Sequence, residues 1–196
     1  NMRYDKFIYL SSTRIYKNNN CKSEESKINI DIPSESNIYD ICKIMGESIC
    51  NYFNHQNKVK IIRLSNVFGG DDLGNKFLQN IISEIKKNKE IKLLESKKFG
   101  KDYIDINIVM KYLLIISISG KSSIYNLASG EIITNKKILD YLNKFKKFRF
   151  TSNEKKKISS INIKIDLLIN ELGYKKIDSF SRLKKYLKLE LDAWYQ

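Results

Sequence analysis

The chain has 196 residues, a net charge of +14, three cysteines and one histidine, with 42% of its residues hydrophobic, enough for one good core or one core with a small lobe. Its longest apolar run, Tyr112 to Ile118, is far too short to span a bilayer, and no charged-then-apolar leader opens the chain, so we expect a soluble, cytoplasmic protein with no membrane partner. Cys21, Cys42 and Cys50 show no Cys-x-x-Cys spacing and only His55 could join them, which argues against a metal site and for free thiols in a reducing compartment.

The positive charge is mostly lysine, with five arginines, and is strewn along the chain among Asn and Ile. The runs at 86–89, 144–147 and 154–157 read as solvated helix ends and loops. No cluster of aromatics with Arg suggests a nucleic-acid surface, so no nucleic-acid partner is expected.

Residues 5–10 form a short apolar run that reads as a buried parallel strand, ending in Ser11, Ser12 and Thr13. Residues 17–37 are polar, hold the only proline, Pro33, and read as a long loop of the kind that is functional or mobile. Residues 38–55 carry helical spacing at Ile41, Met45, Ile49 and Tyr52, with Ser36 or Asn37 as the cap. A strand over 59–65, a turn at 71–74, a helix over 76–86 and short strands at 91–94 and 103–106 follow. Then come a helix over 107–116, a strand over 123–127, a helix over 134–145 capped by its first threonine, a basic loop, and helices over 165–172 and 179–195. Strands alternating with helices predict an α/β fold with a parallel sheet.

Tyr39 and Lys43 stand four apart in the helix over 38–55, and such residues share a face. With 12 Tyr and 36 Lys+Arg in the chain, roughly two Tyr-x-x-x-Lys/Arg matches arise by chance, so the pair alone proves little. Its chemistry is nonetheless coherent. A phenol acts as a base near neutrality only when a neighbour stabilises its anion, and one cation at ~4 Å in a partly screened site contributes about 4 kcal/mol. A hydroxyl at the end of the preceding strand can reach the same substrate atom.

The longer order raises the odds. Ser11-Ser12-Thr13 precedes Tyr39-x-x-x-Lys43, which is followed by Arg63-Leu64-Ser65-Asn66-Val67-Phe68-Gly69, Gly100-Lys101-Asp102-Tyr103-Ile104-Asp105-Ile106, Tyr125-Asn126 and Glu171-Leu172-Gly173-Tyr174. In this order the chain resembles the extended short-chain dehydrogenase/reductases, the NAD-dependent epimerase/dehydratase family, along essentially its whole length. The resemblance implies a partial Rossmann-like, doubly wound parallel sheet with a small C-terminal substrate-binding α/β lobe. Residues 1–70 would be the second half of the Rossmann-like domain, with the catalytic Ser, Tyr and Lys, and 71–196 the mixed remainder with that lobe. It also implies NAD or NADP as cofactor, a nucleotide-sugar substrate of the kind used in polysaccharide biosynthesis, and a homo-oligomer.

Carried over by position, Tyr39 is the acid/base, Lys43 supports it and binds the nicotinamide ribose, and Ser12 is the catalytic hydroxyl, with Ser11 and Thr13 as alternatives. Ser65 lies near the nicotinamide, and Ser12, Thr13, Asn66 and Lys101 contact substrate. Lys101 stands where the family carries arginine, keeping the charge but losing the bidentate fork. Members acting as 4,6-dehydratases carry Asp-Glu after the catalytic hydroxyl, where Thr13 and Arg14 stand here, so epimerase or ketoreductase chemistry is expected. Lys17 and Ile108 also replace a glycine and an aspartate of the family pattern. The family's Gly-x-x-Gly-x-x-Gly fingerprint, which cradles the cofactor pyrophosphate, has no match, and we expect this chain to be the C-terminal two thirds of such an enzyme. Its first strand would then need a missing N-terminal segment, a partner chain or self-association to cover its edge. The rival readings are a non-catalytic remnant that binds a sugar nucleotide or pairs with another subunit, and a basic nucleic-acid-binding module.

Overall fold

A computed structural model describes residues 4–30, 37–70, 76–87, 89–153 and 162–193. The turn at 71–74, Pro33, Ser36, the basic run at 154–157 and the last residues of the terminal helix lie outside the described residues. The chain divides into two compact units, residues 1–65, 107–130 and 161–177 in the first, and 66–106, 131–160 and 178–196 in the second.

The first unit is built on a parallel sheet. Strand β1 (Phe7–Ser12) pairs with β2 (Val59–Leu64), which pairs with β6 (Ile124–Leu127), in the order β1-β2-β6. The register runs from Phe7 opposite Val59 to Ser12 opposite Leu64, and this pairing carries β1 through both serines, two residues beyond the expected 5–10. Phe7 and Leu10 on β1 are over 40% exposed, whereas β2 is buried almost throughout. Helix α1 (Ile38–Tyr52) packs on β1 and β2. Asn37 takes its cap position without a side-chain cap bond.

The apolar spacing that predicts α1 does not face the sheet. Met45, Ile49 and Tyr52 are more than half exposed, and Asp40, Glu47 and Cys50 point inward instead. The reason is ionic. Arg63 on β2 donates from Nε and Nη2 to the Glu47 carboxylate at 3.0 and 2.7 Å, and from Nη1 to the Tyr16 hydroxyl at 2.6 Å. Tyr16 in turn donates to Asn126 Oδ1 at 2.9 Å. Burial works against the charged Arg63, but the bonds to Glu47 and Tyr16 outweigh it and raise its pKa. Gly46 allows the close approach on the same helix, since a Cβ there would lie 2.1 Å from the Tyr9 hydroxyl.

The described part of the polar loop after Tyr16 is pinned as well. The buried Asn19 holds Lys27 and Asn29 through its amide, and Glu24 accepts from the Asn126 N–H at 2.8 Å. Helix α3 (Ile106–Ser119) buries Val109, Tyr112 and Ile116. Further along, α5 (Asp166–Leu172) ends at Gly173 in a left-handed conformation, φ 62°, which glycine adopts without Cβ strain.

The second unit gathers β3 (Asn66–Phe68), α2 (Lys76–Lys86), β4 (Ile91–Leu93), β5 (Gly100–Asp105), β7 (Ile132–Thr134), α4 (Asn135–Leu142), β8 (Phe150–Ser152) and α6 (Ser179–Asp192). β3 and β5 run parallel, β5 and β7 antiparallel, and β4 and β8 parallel. The core packs Leu78, Ile81, Ile82 and Ile85 of α2, at i, i+3, i+4 and i+7, with Ile138 and Leu142 of α4 and Leu183, Leu187 and Leu191 of α6. Each fully buried Leu or Ile contributes roughly 1.5–3 kcal/mol. Thr134 caps α4 by accepting from the Lys137 N–H, and Asp178 caps α6 by accepting from the Ser181 N–H. The three-residue strands β3, β7 and β8 carry too few positions to show an alternation in sequence, and form through their pairing partners. Among the described residues no helix is long and apolar enough to cross a membrane.

Candidate active site

Strand β1 delivers three hydroxyls to its C-terminal end, and each has a different situation. Ser11 is buried with no partner for its Oγ. Thr13 is buried and donates to the Leu64 carbonyl at 3.2 Å. Ser12 is partly open, its backbone still extended. Its Oγ accepts from the Arg14 N–H at 3.2 Å, capping the short 3-10 turn Thr13–Tyr16, a bond that leaves its own O–H free to donate.

The first turns of α1 bring Tyr39 and Lys43 to the same strand end. Lys43 Nζ donates to the Leu10 carbonyl at 2.8 Å and lies 5.6 Å from the Tyr39 ring centroid and 5.5 Å from that of Tyr9. Tyr9 donates back to the Lys43 carbonyl at 3.4 Å. Tyr39 is 46% exposed. A second cation attends it: the Arg14 guanidinium sits 5.3 Å from the Tyr39 centroid, with its Nε 3.1 Å from Asp40 Oδ1. Sequence reasoning noted Arg14 only as the absence of an acidic residue. The signal it missed is that Asp40, next to Tyr39, turns inward and draws the guanidinium over the ring. Glu47 lies eight residues beyond Tyr39 on the same helix face, so its buried pairing with Arg63 sets the rotation at which α1 presents both Tyr39 and Lys43.

Ser65 directly follows β2, whose last residue, Leu64, pairs with Ser12. It is buried, its N–H donates to the Leu127 carbonyl at 3.2 Å, and its Oγ has no partner. Ser12, Tyr39, Lys43 and Ser65 therefore all belong to the first unit, at or near the C-terminal ends of parallel strands, where open α/β sheets bind their ligands.

Asn66 and Lys101 belong to the second unit. Asn66 Nδ2 donates to the Asp102 carbonyl at 2.8 Å, which ties β3 to β5. Lys101 Nζ lies 4.9 Å from the Phe77 centroid and 5.7 Å from that of Phe99, on the wall of a cavity of about 260 Å³ that also touches α2 and β4. Asn66 does not line this cavity.

The parallel sheet flanked by helices is a Rossmann-type α/β arrangement. The family model described as "NAD dependent epimerase/dehydratase family" matches residues 1–128, and the chain belongs to that family. No curated protein matches it. Among solved structures it is similar to TunA, an NAD-dependent NDP-hexosamine 5,6-dehydratase involved in tunicamycin biosynthesis, at 16% identity and TM-score 0.78, covering 97% of this chain and 63% of that one. It is also similar to RMD from Pseudomonas aeruginosa complexed with NADPH, at 18% identity and TM-score 0.76, covering 96% and 66%. A third is the UDP-glucose 4-epimerase from Thermotoga maritima with UDP-glucose, at 18% and 0.75, covering 97% and 63%. The likeness is one of fold, Rossmann-type α/β as the sequence predicts, and the chain spans about 63% of the length of the first of these structures.

Proposed function

We propose that the chain carries the acid/base and substrate-side residues of an NAD- or NADP-dependent nucleotide-sugar epimerase or ketoreductase. The observation that carries this reading is the position of Lys43 Nζ, within reach of the Tyr39 ring and bonded to the Leu10 carbonyl two residues before Ser12. A half-exposed phenol with a fixed cation beside it can give and take the proton of a sugar hydroxyl. Ser12 is the hydroxyl at this strand end whose O–H is both accessible and uncommitted, and it would orient the same sugar oxygen. Thr13 shares the strand end, but its hydroxyl is engaged with Leu64. Asn66 and Lys101 would contact the substrate phosphates, Lys101 as a point charge.

The nicotinamide cofactor that the family implies fits the residues present at one end. Ser65 offers a buried hydroxyl without a partner, and Lys43 offers an ammonium two residues from the end of β1. These would hold the nicotinamide and its ribose, and the bound cofactor would supply the hydride chemistry. The edge of β1 away from β2, which pairs with no other strand among the described residues, is the place for a further strand, from a preceding segment or a partner chain. Self-association and a cytoplasmic location belong to the same proposal, and the uncharged exposed stripe Ile41, Met45, Ile49 and Tyr52 on α1 supports the former in a chain of net charge +14.

The test is Tyr39→Phe in a preparation that turns over a nucleotide sugar with NAD(P), either the chain alone or the chain mixed with the glycine-rich half of a family member. Turnover should fall by about 10²–10⁴ with an unchanged circular dichroism spectrum, since the exposed ring keeps its packing. Full activity of the variant overturns the assignment. A wild-type chain that binds nucleotide sugar in both preparations and never turns it over supports the non-catalytic reading.

A further inference from the structure

The cavity in the second unit carries a polar atom that the fold does not explain. Asn135, the first residue of α4, is 1% exposed and lines the cavity. Its backbone N–H donates to the Phe99 carbonyl at 2.8 Å and its Nδ2 to the Ser96 carbonyl at 3.2 Å. A carbonyl can only face the amide nitrogen, so this second bond fixes the orientation of the side-chain amide. Oδ1 is left buried with no partner, and an acceptor in that state is costly unless something donates to it.

The rest of the lining is rich in acceptors. Glu84 of α2 and Glu95, just after β4, bring two carboxylates, which only accept. Lys92 and Lys101 also line it, and Phe77, Ile81, Ile91 and Leu93 add apolar surface. The volume of about 260 Å³ suits a nucleobase and part of its ribose, below the ~300–1,000 Å³ of sites that enclose whole drug-sized ligands.

These features discriminate among bases. Uracil and thymine present one N–H between two carbonyl oxygens, so a carboxylate facing that edge meets lone pairs. Adenine and cytosine present one amino group beside a ring acceptor. Guanine alone offers adjacent N–H donors from its ring and its amino group, which a carboxylate takes side by side, and keeps a carbonyl oxygen for a lysine. We propose that this cavity takes the guanine base of a guanosine diphosphate sugar, with Asn135 Oδ1 and the carboxylates of Glu84 and Glu95 as its acceptors. The proposal rests on the nucleotide-sugar reading above, in which Lys101 anchors the diphosphate at the cavity wall.

Calorimetric titration of the 196-residue chain with GDP, UDP, dTDP, ADP and pyrophosphate tests it. GDP should bind about tenfold or more tighter than each of the others. Glu84→Gln or Glu95→Gln, which breaks a paired acceptor while keeping the volume, should bring GDP down toward UDP and leave pyrophosphate unchanged. UDP, dTDP or ADP binding as tightly as GDP overturns the guanine assignment and leaves the nucleotide reading standing. Pyrophosphate binding as tightly as every nucleotide shows that the cavity takes no base. No binding of any of the five up to about 1 mM sinks the nucleotide-sugar reading together with the inference.

Discussion

Around β2 the first unit buries Arg63, Glu47 and Lys60, each at or below 5% exposure, whereas the second unit packs Leu and Ile side chains of α2, α4 and α6 into an apolar cluster. One interior is held by direction and the other by volume. An ion pair with two fixed bonds sets a rotation and a register, while an apolar cluster tolerates swaps that conserve size. The difference suits the proposed division of labour, with proton transfer in the part held by direction and recognition in a cavity carved beside the apolar cluster.

Arg63→Met should break this contrast hardest. It leaves the Glu47 carboxylate buried without its counter-ion, a loss of about 3–5 kcal/mol in urea denaturation. Replacing both partners, Arg63→Met with Glu47→Leu, should recover most of that loss. A double variant as unstable as the single one would show that the pair is not what holds α1. In the second unit the corresponding probe is Leu187→Ala, in a side chain with no exposure. A loss of about 3 kcal/mol with an unchanged denaturant slope is expected for the cavity it leaves.

A smaller effect sharpens the comparison at the rim of the first unit. Glu171 accepts from the Tyr125 hydroxyl, from the N–H groups of Lys121 and Ser122 and from the Ser122 hydroxyl. Burial would raise its pKa, but these donors outweigh it and hold the carboxyl down at about 2. The folded chain thus binds this proton less readily than the unfolded chain does. The stabilisation is complete above the ordinary carboxylate range and is lost as pH falls toward 2. Denaturation midpoints measured from pH 5 downward should fall, and Glu171→Gln should flatten that fall. An unchanged profile in the variant would mean that other carboxylates carry the acid sensitivity.

The legible parts of the molecule were those with many positions to average. The α2 and α6 helices repeat their apolar residues often enough to be read, as do the runs of β2 and β6. What sequence could not show is which way α1 turns. Its apolar stripe at Ile41, Met45 and Ile49 is a proper amphipathic signal, and hydropathy alone assigns that stripe to the core. Arg63, sixteen residues from Glu47 and on another element, reverses the assignment through bonds that no local pattern records. The same holds for Arg14, whose place over Tyr39 depends on Asp40 turning inward. The residue-by-residue order of Ser12, Tyr39, Lys43, Asn66 and Lys101 pointed to a family, but only coordinates separate the Ser12 hydroxyl from that of Thr13.

The route of the chain through its two units bears on how the protein is made. The polypeptide passes from one unit to the other after Ser65, Ile106, Gly130, Ser160 and Ile177. The first unit lacks α5 and its Glu171 clasp until Leu172 has been made, and the second lacks α6 until later still. Neither unit can finish before the other has begun, unlike domains laid out one after another in sequence, which mature in turn. Long-range pairings of this kind also raise the contact order and slow folding. Growing chains of this protein are therefore expected to dwell half-assembled, with the lysine-rich segments keeping them apart through mutual repulsion until α5 and α6 are made.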